Sequence, residues 1–233
     1  MGTMKIKGII ISENNMGDFD KMITILTPNG KIGCSAKGSR RPKSLLMAGT
    51  QYLCFGDYVL YKGCNSYNLN SCETIEMFYN IRTDLEKLNC AVNITKIINN
   101  VTYENQNTFR ILQLHLNTLY MISETEKNLD LIMSVFRLRL LAILGFAPEV
   151  QKCKICKCSE YLVGFSIKDN GVKCESCSGQ DKSVIKLSQS SIDAIKHIIN
   201  SPAKKIFSFD LSEECICEIN LVTQIYFTEK LEM

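Results

Sequence analysis

The chain has 233 residues, 45% hydrophobic and 22% charged, which excludes a disordered or fibrous protein and is enough to bury one or two cores. Its longest apolar windows, such as residues 138–146, fall well short of the roughly 18 to 20 apolar residues that a membrane-spanning helix needs. Net charge is only +3, yet residues 1–50 hold eight Lys or Arg against three Asp or Glu, so +5, and the other 183 residues hold nineteen against twenty-one, so −2; an anionic partner is expected at the N-terminal end first.

No apolar signal core follows Met1, and Ile6 stands where a myristoylation signal requires Ser or Thr, so a cytoplasmic protein without membrane attachment is expected. Up to about residue 80 the hydrophobic period is that of strands. Residues 5–11 and 22–27 are Ile-rich and separated by turn formers, and Pro28-Asn29-Gly30 predicts a tight hairpin into 31–36. Residues 58–62 and 68–78, joined through 63–67, fit a second hairpin. Five short strands predict a small closed or nearly closed barrel. The OB-fold is the commonest nucleic-acid-binding version, although strand number alone leaves an SH3-like barrel open.

Beyond residue 80 the period becomes helical. Leu85 to Val101, Ile111 to Ile122 and Leu131 to Leu144 mark three helices, the third closed by Gly145 and Pro148. Cysteine pairs and glycines interrupt the pattern over 153–185. Helical spacing returns at 188–200, capped by Ser188 and stopped before Pro202, and again at 212–231. The expected division is a barrel over 1–80 and a helical domain over 81–233 with an insertion at about 150–185.

The most specific chemical signal is Cys153-x2-Cys156, seventeen residues, then Cys174-x2-Cys177. Tetrahedral zinc takes four soft ligands at about 2.3 Å, and each Cys-x-x-Cys turn presents two sulfurs to one side of the ion. Lys152, Lys154 and Lys157 would offset the negative charge of such a centre. With all four positions filled by protein, one zinc ion would be structural, not catalytic. Cys158 is the one spare thiol near enough to compete, but Cys156 completes the regular spacing. The twelve cysteines of a chain this large and without an export signal are otherwise expected to be thiols, with Cys215 and Cys217 on the last helix as small core or surface residues.

A second signal is the loop Ala36-Lys37-Gly38-Ser39-Arg40-Arg41-Pro42-Lys43-Ser44, four cations in seven residues with no acid. Guanidinium, ammonium and backbone N–H donors there can meet successive phosphates without reading sequence. Taken alone it is as well explained by a solvated turn; its position at the end of a barrel strand favours phosphate contact. Phe19, Tyr52, Phe55, Tyr58, Tyr61 and Tyr67 are available to stack on bases, while alternation along 58–62 sends some of them into the core. Catalytic constellations are poor. His115 and His197 sit inside helical patterns, Asp18-x-Asp20 reads more plainly as a polar turn than as a Mg²⁺ site, and no phosphate-binding glycine loop is present. No turnover is expected.

Two stretches resemble the bacterial recombination-mediator family RecO. The first is 9–38, with Asp18, Asp20, an Ile-rich strand, Thr27, Gly30 and then Ala36-Lys37-Gly38 followed by Arg40, Arg41, Lys43 and Ser44. The second is Phe136-Arg137-Leu138-Arg139-Leu140-Leu141, Leu144-Gly145-Phe146 and Pro148, leading into the first cysteine pair. The resemblance implies an α+β multidomain fold: an N-terminal five-stranded OB-fold barrel, then an α-helical domain with a four-cysteine zinc-binding insertion. It also implies a non-enzymatic DNA repair and recombination mediator. Such proteins bind single- and double-stranded DNA, anneal complementary strands, work with RecR to load RecA, and recognise the acidic C-terminal tail of the single-stranded-DNA-binding protein through the helical domain. Carried across by position, Lys37, Arg40, Arg41 and Lys43 are DNA contacts, Cys153, Cys156, Cys174 and Cys177 zinc ligands, and Arg137 and Arg139 candidates for the acidic tail or for holding the edge of the helical core. The chain departs from the family at Thr50-Gln51-Tyr52-Leu53, where relatives often carry a Leu-Gln-Pro-Phe-like stretch, and in the hairpin 62–68, which has lost most of its basic character. A zinc-stabilised interaction adaptor without DNA affinity and a Mg²⁺-dependent nuclease using Asp18 and Asp20 are the competing readings.

Overall fold

The computed structural model describes residues 2–63, 66–179, 181 and 183–231. Its chain forms two compact units, Met1–Glu124 and Thr125–Met233.

The first unit begins with five strands, β1 (Thr3–Met16), β2 (Asp20–Thr27), β3 (Gly30–Ala36), β4 (Phe55–Lys62) and β5 (Tyr67–Glu76). They close in the order β1-β2-β3-β5-β4, with β4 returning to β1 from Thr3↔Tyr61 to Ile9↔Phe55. The β3–β5 seam is the one parallel pairing among them and is only Cys34↔Tyr67 and Ser35↔Asn68. That closure is the OB-fold, and it settles what strand number alone left open between barrel types. The tip of the predicted hairpin 62–68 includes Cys64 and Asn65, which lie outside the described residues.

Alternation at a period of two fills the barrel: Ile23 and Ile25, Cys34 and Ala36, Tyr58 and Leu60 all point inward. β1 departs from it, because Ile9, Ile10 and Ile11 are all buried in succession. A register shift between Ile10 and Ser12 turns the strand at that point, so its first half pairs with β4 and its second half with β2. The second half carries Glu13, Asn14 and Asn15 and is exposed, which is why sequence patterning ends the strand at residue 11.

Three helices complete this unit: α1 (Tyr79–Arg82), α2 (Leu85–Val101) and α3 (Phe109–Glu124). The Asp84 side chain caps α2 by accepting from the N–H groups of Glu86 and Lys87. The link from α2 to α3 clamps the β2–β3 turn. Thr108 Oγ1 donates to the Thr27 carbonyl at 2.5 Å and accepts from Gly30 N–H at 2.8 Å, while Lys31 N–H donates to the Tyr103 carbonyl at 3.1 Å. Gly30 has φ 107°, and a Cβ there would stand 2.7 Å from the Tyr103 carbonyl oxygen, so glycine is required by backbone angle and by space. The change of period near residue 80 marks where strands give way to helices; compactness carries this unit on to Glu124.

The second unit contains α4 (Leu129–Ile143), β6 (Leu162–Ser166), β7 (Gly171–Cys174), α5 (Glu175–Ser178), β8 (Ile185–Lys186), α6 (Gln189–Asn200) and α7 (Glu213–Leu231). α4 is its centre, with Leu131, Ile132, Val135, Phe136, Leu138, Leu140 and Leu141 buried against α6 and α7. Its end is fixed as the sequence predicts: Gly145, at φ 93°, donates to the Ala142 carbonyl and Phe146 to Leu141, the paired bonds of a left-handed glycine cap. At the start of α6, Glu218 of α7 accepts from Ser188 N–H (2.9 Å), Ser188 Oγ (2.8 Å) and Ser191 Oγ (2.7 Å). Partial burial works against this carboxylate's charge, and the three donors outweigh it and lower its pKa. Cys215 is buried on α7 and Cys217 exposed, and no described helix is long and apolar enough to cross a membrane.

Candidate nucleic-acid interface and metal centre

The basic loop leaves β3 at Ala36 and immediately returns to the β1–β2 turn. Gly38 N–H donates to Asp20 Oδ1 at 2.7 Å, Arg40 N–H to the Phe19 carbonyl at 2.9 Å, and the Arg40 guanidinium to the Gly17 carbonyl at 3.2 Å. The two loops are thus one surface, held by backbone and by the Asp20 carboxylate. Asp20 has a structural task that the nuclease reading does not anticipate. Lys37, Arg40, Arg41 and Lys43 are all exposed, and among the described residues none of the four forms an ion pair with a carboxylate. Exposed cations without such a partner keep their full potential for phosphate.

The neighbouring lysines are committed elsewhere. Lys21 pairs with Glu13 at 2.6 Å, and Lys31 donates to the Asn99 carbonyl at 2.8 Å while lying over the Tyr103 ring. The aromatic candidates also separate. Tyr58 is fully buried in the barrel core and donates its hydroxyl to the Cys54 carbonyl, Tyr52, Phe55, Tyr61 and Tyr67 are half-buried, and Phe19 is exposed.

Neither histidine sits in a reactive setting. His115 is buried, its Nε2 is 3.0 Å from Thr95 Oγ1, and burial pulls its pKa down to about 3, so it is a neutral core imidazole. The His197 Nε2 is 2.8 Å from the Lys205 carbonyl oxygen.

In the second unit, the four cysteines singled out by spacing converge. The Sγ atoms of Cys153, Cys156, Cys174 and Cys177 all lie within 4.8 Å of one another, Cys156 and Cys174 at 3.6 Å. Four thiolates about 2.3 Å from a tetrahedral ion would be about 3.8 Å apart, so this set can hold a metal ion. Local backbone makes the arrangement. Lys157 N–H donates to the Cys153 carbonyl at 3.0 Å and Cys153 N–H to the Cys158 carbonyl at 2.7 Å, which folds the first pair into a knuckle with Lys157 at φ 67°. The second pair opens α5, whose N-cap is Cys174. Cys158 lies outside the cluster, its thiol directed to the Glu160 carbonyl at 3.0 Å.

Crowding spreads the proton affinities of these thiols. Burial raises Cys153, but N–H donors of Cys174, Cys156 and Ile155 outweigh it and bring it down to about 6; Cys177, bonded to Cys156 and Cys174, is pushed up to about 12. Beside Cys174 on β7, Lys173 is buried, 4% exposed, between Asp169 and Asp181, each at 2.6 Å. This triad ties β7 to the loops on both sides and was not visible in the sequence pattern, because Lys173 has no apolar neighbour periodicity to mark it as internal.

Arg137 and Arg139 stand half-buried on α4. The first donates to Asn220 Oδ1 at 2.9 Å and the second to the carbonyls of Ile198 and Ile199 at 3.1 and 2.5 Å, in the last turn of α6 where carbonyls lack helical partners.

An OB-fold barrel with exposed cations on one loop, followed by helices and a four-cysteine cluster, is the arrangement of a metal-ligand-bearing barrel-and-helix protein, and comparison with known proteins gives its family. The model described as Recombination protein O N terminal matches residues 1–78, and Recombination protein O C terminal matches 82–233. A DNA repair protein RecO of Acetivibrio thermocellus is 44% identical over 100% of this chain and 93% of its own length. Another from Alkaliphilus metalliredigens is 31% identical over 98% and 94%, and that of Bacillus subtilis 26% over 97% and 88%. The chain belongs to the recombination protein O family.

Proposed function

We propose that the chain binds single- and double-stranded DNA without sequence specificity, anneals complementary strands, and helps load RecA together with RecR on DNA coated by single-stranded-DNA-binding protein. The observation that carries this reading is the fixed loop bearing Lys37, Arg40, Arg41 and Lys43, exposed and without carboxylate partners among the described residues. Annealing requires two like-charged strands to meet. Cations that neutralise phosphates while leaving base edges untouched lower that repulsion without blocking pairing.

The metal is zinc in this reading, one structural ion held by Cys153, Cys156, Cys174 and Cys177. The all-sulfur donor set supports it. When bound, the ion supplies cross-linking of the 150–185 segment and no chemistry. Arg139 is engaged with the end of α6, so an acidic tail of the coating protein would meet Arg137 and Arg139 only along their remaining exposed surface; the edge of the helical core is their main task. The working compartment is the bacterial cytoplasm, at the nucleoid.

The deciding assay follows annealing of two complementary oligonucleotides, one fluorescent and one carrying a quencher, with and without the coating protein. Faster annealing in both conditions supports the mediator. No acceleration in either, with intact protein, leaves the zinc-stabilised adaptor; shortened oligonucleotides in the presence of Mg²⁺ would instead establish the nuclease.

A further inference from the structure

Phe19 sits at the tip of the β1–β2 turn, 44% exposed. The barrel does not need it there: the inward positions are filled by Ile10, Ile23, Ile25, Tyr58 and Leu60, and a turn between Gly17 and Asp20 favours small polar residues. The ring is nevertheless held in a defined place. Its backbone carbonyl accepts from Arg40 N–H at 2.9 Å, its neighbour Asp20 accepts from Gly38 N–H at 2.7 Å, and the Arg41 guanidinium lies over the ring, 5.4 Å from its centroid. A cation–π contact of this kind supports one side of the ring, and the exposed residue lies on the turn to which Arg40 and Arg41 of the basic loop are joined.

An exposed aromatic ring fixed amid phosphate-binding cations is the combination that grips unpaired nucleic acid, with backbone charge met by cations and a base laid on the π-face. A duplex keeps its bases stacked inside and offers the ring only phosphates and groove edges. We propose that Phe19, buttressed by Arg41, is a base-stacking platform that gives the loop a preference for single strands over duplex. The inference rests on the DNA-binding reading above and adds to it the residue that tells the two forms apart. It also ranks the aromatic candidates: Tyr58 is sealed in the core, Phe55, Tyr61 and Tyr67 are half-buried on β4 and β5, and Tyr52 is half-buried in the turn before β4.

The chain contains no tryptophan, so Phe19→Trp installs a single emitter at the proposed platform. The full chain and its variants Phe19→Leu and Phe19→Trp are titrated with an oligothymidine strand and with a duplex of equal length at one salt concentration. Phe19→Leu keeps an apolar side chain at the turn and removes the π-face. It is expected to weaken single-strand binding roughly five- to tenfold, the lower part of the range for one stacked base, and to leave duplex binding within about twofold. Phe19→Trp should retain single-strand affinity, with its emission quenched by the single strand and not by the duplex. Single-strand binding by Phe19→Leu equal to the original chain, or an equal loss on both DNA forms, overturns the platform while leaving DNA binding by the loop intact. A native chain that ignores both DNA forms overturns the underlying reading and this one with it.

Discussion

If the loop surface binds backbone charge, changing Arg40 and Arg41 to Ala together must alter the salt dependence of DNA binding by a calculable amount. Four exposed cations are available, Lys37, Arg40, Arg41 and Lys43. With about −0.7 per phosphate contact on single strands, four contacts give a slope of roughly −2.8 in log K against log salt, and two give roughly −1.4. Raising salt from about 50 to about 200 mM should therefore weaken the native chain by roughly fiftyfold and the double variant by only roughly sevenfold. The fold should survive the change, because the loop is anchored by Arg40 N–H on the Phe19 carbonyl and by Gly38 N–H on Asp20, neither of which needs the arginine side chains. Fluorescence anisotropy with a labelled oligothymidine across that salt range, with circular dichroism of the variant as a control, reads both slopes. A folded double variant with an unchanged slope would show that phosphates are met elsewhere, and the loop would have to be removed from the interface.

Other expectations concern stability and the metal. Cys174→Ser should lower bound zinc, read by elemental analysis, and speed amide exchange over 150–185 while leaving the Met1–Glu124 unit protected; full zinc occupancy in that variant would contradict the four-cysteine assignment. Thr108→Val keeps volume but strips partners from Gly30 N–H and the Thr27 carbonyl, and should cost about 2–4 kcal/mol in urea unfolding. Glu218→Gln should cost about 1–3 kcal/mol at neutral pH, because three donors at the start of α6 lose a charged acceptor. Since the folded-state pKa of Glu218 is lowered, its contribution is present above the ordinary glutamate value and is lost as pH falls through the lowered one. The native-to-variant gap in unfolding free energy should accordingly shrink as pH falls below the ordinary glutamate value, and a gap constant with pH would refute the charge-based account.

The parts of this molecule written in short-range pattern were legible before any coordinates. Leu85–Val101 and Gln189–Asn200 were marked by period, the latter also by its Ser188 cap, and the cysteine quartet by spacing alone. What required the structure were pairings between residues distant in sequence. Return of β4 to β1 and the parallel β3–β5 seam decide which barrel this is, and no local window contains them. The same holds for Thr108 on the 27–30 turn, a contact across 81 residues, which binds α2 and α3 into the barrel's unit. Exposed stretches such as Glu13, Asn14 and Asn15 carry no hydrophobic alternation, so the length of β1 was hidden. Within the basic loop, the sequence supplied the cations and the list of aromatics; only the fold separated Phe19 at the surface from Tyr58 in the core.

The β3–β5 seam, though just two residue pairs wide, has a consequence for crowding. A sheet that ends leaves a row of amides and carbonyls on which another copy can add a strand, and proteins that gather along a polymer meet one another at high local density. Here the strands close into a ring at that seam, so copies gathered along DNA, as proposed above, would meet no full-length open sheet edge on the barrel on which to add a strand.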